Sequence, residues 1–476
     1  MSTENIAQRQ NILNKPQNIV VAIIAIIFLW ILFQDILPLL IITAIVVLFI
    51  IGMKQPIWAL AGLMVSQLTI STFMVSTPFV DISLRLILLV VTMFIIGKSL
   101  VEKKVSFGPD SRKILIPIVI FIVLNILSNV VNSEEFESIF RDFRNLLVGL
   151  MFVIVLPAII ENTRQLKTIC IVTLTVIIAS STIGLLQHYD VLGLSQATIF
   201  EGFGGTRIPG MGETELELAF ILPMSIMILF ALFIGKAFSD ENRKYIVITI
   251  LIMLLAAYFT YTRSALIAIP FGVLAIFLFL WKRANWQVIL AFSFIAIILI
   301  YVTGFMEQTY VSGRSDIGQE ESTIARDILW QASIAMALDH PVLGIGGDRF
   351  IELSPEYIDE IDPALIQYES DRYFQYSTLG SNTPHNDFLK TWAYYGSIAV
   401  IIYIWLHFAV IKICANAHRN SSRRFIKGLS IGIAGALVTY VINSFYHNVA
   451  ATIPVFWILI GFSLAVNKLA AKENLA

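Results

Sequence analysis

Residues 245–281 read YIVITILIMLLAAYFTYTRSALIAIPFGVLAIFLFLW: two apolar runs with one charged residue, Arg263, between them. About 20 such residues cross a hydrocarbon core as a helix, which satisfies its own backbone hydrogen bonds. The pattern recurs along all 476 residues, of which only 14% are charged. A transmembrane β-barrel would instead show alternation in segments of about 10 residues, which is absent. The expected fold is therefore all-α and polytopic, with about 14 transmembrane helices. They are placed at 18–34, 36–52, 57–75, 80–97, 114–131, 144–160, 167–187, 216–237, 245–262, 264–281, 286–304, 388–412, 427–447 and 451–467.

Alternation through these spans puts both termini on one side. That side collects about two thirds of the 32 Lys+Arg, which makes it cytoplasmic by the positive-inside rule. Residues 305–387 then form one large loop on the outer side, with Arg314, Arg326, Arg349 and Arg372 but no lysine. Loops of this length carry function or are disordered, and the apolar content argues for order. RDILWQASIAMAL (326–338) has a helical pattern that Pro341 stops, and SPEYIDEIDPALIQYE (354–369) reads as a second short helix after the cap-like Ser354. Four parts follow: an N-terminal bundle (1–199), a second transmembrane part (200–304), the loop (305–387) and C-terminal helices (388–476). A net charge of −1 says nothing about a nucleic-acid partner, and none is expected. Cys170 and Cys414 fall in or beside apolar spans, so neither a disulfide framework nor a metal cluster is expected. The first 17 residues lack a signal-peptide cleavage pattern.

Candidate chemistry gathers on the outer side. Arg263 occupies a turn of almost no length; it either snorkels to the headgroups or serves a function. In GGTRIPGMGETELELA (204–219) the glycines allow close backbone approach, and Arg207 can hold a phosphate or sit in an ordinary turn. The run DHPVLGIGGDRF (339–350) invites a nucleotide-loop reading, but no Gly-Lys-Ser/Thr follows and no strand–helix context surrounds it. A tight turn returning the loop helix to the membrane is the better account, with His340 structural. His385 lies at the entrance of the span beginning near Phe388, with Pro384 fixing the entry and Asn386 or Asp387 capping the helix. Its imidazole exchanges protons near neutral pH, and three arginines on the same face favour a functional role. Arginine suits a diphosphate, because its planar fork gives paired, charge-assisted hydrogen bonds. A polyprenyl diphosphate would present its charge at the interface, where preorganised arginines can stabilise the leaving group without a metal or cofactor.

Arg263 in TRSA, Arg326 followed by Trp330, HPVLGIG, and His385-Asn386 with Leu389 and Gly396 resemble the bacterial O-antigen ligase/polymerase family. The similarity spans roughly 200–405. It implies a C-type glycosyltransferase-like fold, acting without cofactor or metal on undecaprenyl diphosphate-linked glycans at the outer face of the bacterial cytoplasmic membrane. It implies an inverting transfer, with Arg263 and Arg326 handling the diphosphate and His385 as the essential histidine. Arg207, Arg349 and Asn386 are the expected substrate-binding residues. Arg207 departs from the family pattern, since no Pro-Asn pair follows it.

The acceptor, glycan or lipid, separates a polymerase from a ligase, and the residues leave both open. The rival readings are a transporter of an anionic solute, with the loop as lid, and a non-catalytic subunit of a polysaccharide assembly complex. Transporters tend to show paired halves with interrupted mid-membrane helices, whereas these candidates sit at one face.

Overall fold

The computed structural model describes residues 47, 49–69, 74–76, 81–83, 97, 108–132, 136–191, 207–212, 214–280, 317–347, 349–359, 383–449 and 454–473. Its contacts divide the chain into two compact units, 1–66 with 70–103, and 67–69 with 104–476. The first holds most of α1 (Pro56–Thr69) and an antiparallel pair, β1 (Met74–Ser76) with β2 (Asp81–Ser83), in which Val75 faces Ile82. This pair corrects the expected helical ends at 75 and 80. The stretch STFMVSTPFVDIS is rich in β-branched residues, and Pro78 withholds a backbone donor from any helix there.

The second unit is helical: α2 (Ser111–Asn132), α3 (Phe136–Ile159), α4 (Thr163–His188), α5 (Glu215–Ile234), α6 (Asp240–Phe259), α7 (Arg263–Phe279), α8 (Ile317–Asp339), α9 (Arg349–Asp359), α10 (Asp387–Asn420), α11 (Arg424–Ser444) and α12 (Val455–Glu473). Among the described residues, seven helices are long and apolar enough to cross a membrane, and α7 is a shorter apolar helix. The expected spans 18–34 and 286–304, and most of 36–52 and 80–97, lie outside the described residues. Residues 360–382 of the large loop do so as well.

Helix α11 is the hub, packed on α5, α7 and α10. Small residues make this possible: a Cβ at Gly432 would lie 2.8 Å from the Ile228 Cα of α5. Helix α8 ends at Asp339, before Pro341, as expected. The second loop helix does not start at Ser354. It begins at Arg349, and Ser354 is buried inside it, donating its hydroxyl to the Ile351 carbonyl.

Helix α10 is not one continuous span from Phe388. At Gly396 the backbone leaves the helix (φ 84, ψ 177), which exposes the carbonyls of the first segment's last turn. The glycine-rich loop supplies the missing donors: Ile345 N–H to Ala393 O at 2.9 Å and Gly346 N–H to Tyr394 O at 3.0 Å. The Ser128 hydroxyl of α2 adds a bond to Tyr394 O at 2.6 Å, and Ser397 N–H donates to Pro341 O at 2.8 Å. Leu329, Met336, Phe350 and Tyr394 close an apolar cluster around this junction. The HPVLGIGG run is therefore a docking loop for a broken helix, in keeping with the tight turn expected from sequence.

Gly396→Ala should consequently lower the thermal unfolding midpoint of the detergent-purified protein. The conformation alone costs about 1–3 kcal/mol for a non-glycine residue, and the new Cβ collides with the Val342 carbonyl. An unchanged midpoint would contradict this account of the break.

Candidate functional site

Helices α6 and α7 are joined by Thr260, Tyr261 and Thr262. Tyr261 adopts φ 51, and the Thr260 hydroxyl donates to Ala257 O at 2.7 Å to close the end of α6. Arg263 is the first residue of α7 and is exposed. A cation at a helix N-terminus opposes the macrodipole, whereas an anion bound there would meet both the helix dipole and the guanidinium.

Arg207 precedes α5 in a loop tied firmly to α4. Gln187 grips Gly210 twice, its amide donating to the carbonyl and accepting from the N–H, each at 3.0 Å. Ser180 Oγ accepts from Met211 N–H at 2.9 Å, and Ile208 is fully buried. Arg207 is half-buried beside these anchors.

His385 sits before α10 in the left-handed region at φ 48. Asn386 is the cap, its Oδ1 accepting from Phe388 N–H at 2.9 Å and Leu389 N–H at 3.0 Å. Asp387 does not cap. It is buried, accepts a hydrogen bond from the Tyr440 hydroxyl at 3.2 Å, and Tyr440 meets the Tyr403 hydroxyl at 2.7 Å. Trp330 of α8 donates its indole N–H to Pro384 O at 2.9 Å, which binds the helix carrying Arg326 to the His385 turn.

Electrostatics tie these pieces together. Burial pushes the Arg326 guanidinium down from its ordinary value, and the positive charge of Arg263 pushes it further. Burial first and Arg326 second push the His385 imidazole down to about 4. The structure adds a second imidazole that the sequence reading placed inside a span. Helix α11 stops at Ser444, so His447 lies in the following turn, its ring 5.2 Å from that of Phe220. Burial, then Arg326, His385 and Arg207, push His447 down to about 3. Arg263 thus acts on Arg326, Arg326 on both imidazoles, and Arg207 and His385 on His447, a chain of neighbours at the end of the bundle where α5, α7 and α10 begin and α11 stops. Arg349 has a different setting: it pairs with Glu352 one turn along α9 at 3.5 Å. Among the described residues no group of three His, Cys, Asp or Glu is placed to hold a metal ion.

Sequence reasoning also passed over Asn448. Its Oδ1 accepts from Asn386 N–H at 3.1 Å, and its amide donates to Thr383 Oγ1. A signal was present, since His447-Asn448 repeats the His385-Asn386 dipeptide between two apolar runs.

This arrangement holds several cationic groups close together in partly dry surroundings, with two neutral imidazoles beside them. It suits an anion carrying several phosphate oxygens, with a proton acceptor alongside. Known proteins give the chemistry a family. An uncharacterized protein of Haemophilus influenzae is 24% identical over 318 residues, spanning 64% of this chain and 72% of its own length. The O-antigen ligase family model matches residues 248–404, a stretch containing Arg263, Arg326, Arg349, His385 and Asn386 but not Arg207, His447 or Asn448. Residues 248–404 are thus a domain of the O-antigen ligase family, set in a membrane protein whose flanking helices add further side chains to the same cluster.

Proposed function

We propose that the chain is a membrane glycosyltransferase that transfers or polymerises an undecaprenyl diphosphate-linked oligosaccharide at the outer face of the cytoplasmic membrane. The observation that carries this reading is the meeting of Arg207, Arg263 and Arg326 with His385 and His447. In the proposed step, His385 accepts the proton of an acceptor hydroxyl as its oxygen attacks the anomeric carbon. The bond from that carbon to the diphosphate breaks with inversion, and the electron pair leaves with undecaprenyl diphosphate. Arg263 and Arg326 stabilise the charge growing on the leaving group; Arg207 holds the distal phosphate. Asn386 keeps the end of α10 in place beside the substrate, and Arg349 meets the glycan from the large loop. No step draws on a metal.

The test is reconstitution of the purified protein with a lipid-linked oligosaccharide and candidate acceptors. A ladder of products marks a polymerase and single additions to a lipid core mark a ligase. Transport of an anionic solute without bond formation would replace the reading. Labelling of single cysteines placed beside residues 263 and 385 from either side of intact cells reads the orientation.

The site also predicts an unusual pH dependence. An imidazole at about 4 is neutral throughout the physiological range, so the acid limb of kcat/KM should lie near pH 4, not near the ordinary ~6.5. A bound diphosphate offsets the field of Arg326 and raises this pKa, so the acid limb of kcat should lie higher than that of kcat/KM. Folding stability follows the same groups. Unfolded histidine binds its proton first, so the contribution of His385 is complete above ~6.5 and is lost as pH falls towards 4. Coincident limbs near 6.5 in both kinetic profiles would remove His385 as the base.

A further inference from the structure

We propose that Asn448 is a positioning residue for His385, holding the turn that aims the imidazole at the arginine cluster; its catalytic consequence rests on the reading of His385 given above. The turn is tied on both sides of the histidine. Asn448 accepts from Asn386 N–H at 3.1 Å and donates to Thr383 Oγ1, while Trp330 donates to Pro384 O at 2.9 Å. Residues 383, 384 and 386 are therefore each anchored, and His385 stands between them in the left-handed region that a non-glycine residue adopts only when its surroundings hold it there. Without Asn448 the Asn386 N–H, which lies before the first helical residue, loses its acceptor, and the turn is free to relax.

Asn448 arrives from the segment after α11, outside the matched domain, so the positioning depends on α11 packing against α10. The same segment carries His447, whose ring meets Phe220 at the start of α5. Misplacing a reacting group by about 1 Å can cost on the order of 10²-fold in rate.

The test compares Asn448→Leu, Asn448→Asp and Thr383→Val in the full-length protein, reading transfer kinetics and amide hydrogen exchange. Asn448→Leu keeps the branched shape and removes both bonds. It should lower kcat by about 10- to 100-fold while changing KM for the lipid-linked donor by less than about 3-fold. Exchange at residues 383–389 should rise while α11 stays protected. Asn448→Asp restores both bonds, because a carboxylate accepts from Asn386 N–H and from the Thr383 hydroxyl. It should recover the protection of the turn. Its negative charge, set among Arg326 of α8, Arg263 of α7, Arg207 before α5, and Tyr446 and His447 after α11, should also move the acid limb to higher pH. Thr383→Val removes one bond from the other end and serves as a second route to the same loosened turn.

Exchange reads the tether whatever reaction the site performs. An unmoved turn in both Asn448→Leu and Thr383→Val overturns the proposal even if transfer falls. A loosened turn together with full transfer by His385→Ala fells the catalytic reading and leaves the tether standing.

Discussion

His385→Ala should lower the rate of glycan transfer by about 10²–10⁴-fold, the usual contribution of a positioned general base, while the protein stays folded and inserted. The separation of effects follows from the local structure. The cap of α10 belongs to Asn386, the tether of the turn to Asn448 and Trp330, and the buried polar contact of the first turn to Asp387 and Tyr440. Removing the imidazole disturbs none of these. Alanine also relieves burial of a group that resists protonation there, so acid stability between pH ~6.5 and 4 should improve slightly. Glycan display in a complemented deletion strain reads activity, and thermal unfolding in detergent reads the fold. Full display by the variant would remove the assignment, and a collapsed unfolding midpoint would assign His385 to structure instead.

Arg326→Ala carries the second large effect, a loss of about 10²–10³-fold in kcat, comparable to removing one preorganised donor from a developing anion. Lysine at 326 should restore little, because an ammonium cannot reproduce the paired hydrogen bonds of a guanidinium to phosphate oxygens. The variant should leave the fold intact. Arg326 is partly buried and repelled by Arg263, so its charge opposes folding in the absence of substrate. A residue kept at a position that disfavours it is the mark of a site selected for binding. Removing the charge should also raise the pKa of both His385 and His447, since Arg326 depresses both. Titration of the histidines by pH-dependent chemical modification measures this. Unchanged histidine titration would mean that the guanidinium acts elsewhere.

Much of the molecule was legible in the chain. Apolar runs between charged turns located α2, α4, α5, α7 and α11 to within about four residues, and α6 and α12 to within about six, because a helix in lipid must be both long and continuously apolar. The halt of α8 before Pro341 and a cap at Asn386 or Asp387 were equally readable, each being a local steric or hydrogen-bonding rule, and the structure chose Asn386. The β1–β2 pair was written in local sequence and missed, whereas the break at Gly396 and the contacts made beyond Ser444 depend on groups distant in sequence. Periodicity carries no information about the loop donors that stabilise a broken α10. The expected span 427–447 ran on through His447, whereas α11 stops at Ser444.

Composition and pattern alone determined that this chain is a helical membrane protein with few charged residues inside its spans, since hydrocarbon tolerates neither open backbone nor stray charge. They also marked Arg263, Arg326 and His385 as candidates for function, with a structural role still open for Arg263 and His385. Only the tertiary structure decided which of the candidates act on one another, and that His447 and Asn448 join them while Arg349 pairs with Glu352. Coulomb forces and hydrogen bonds depend on distances of a few ångströms, and those distances are set by how α5, α7, α10 and α11 pack, not by the order of residues along any one of them.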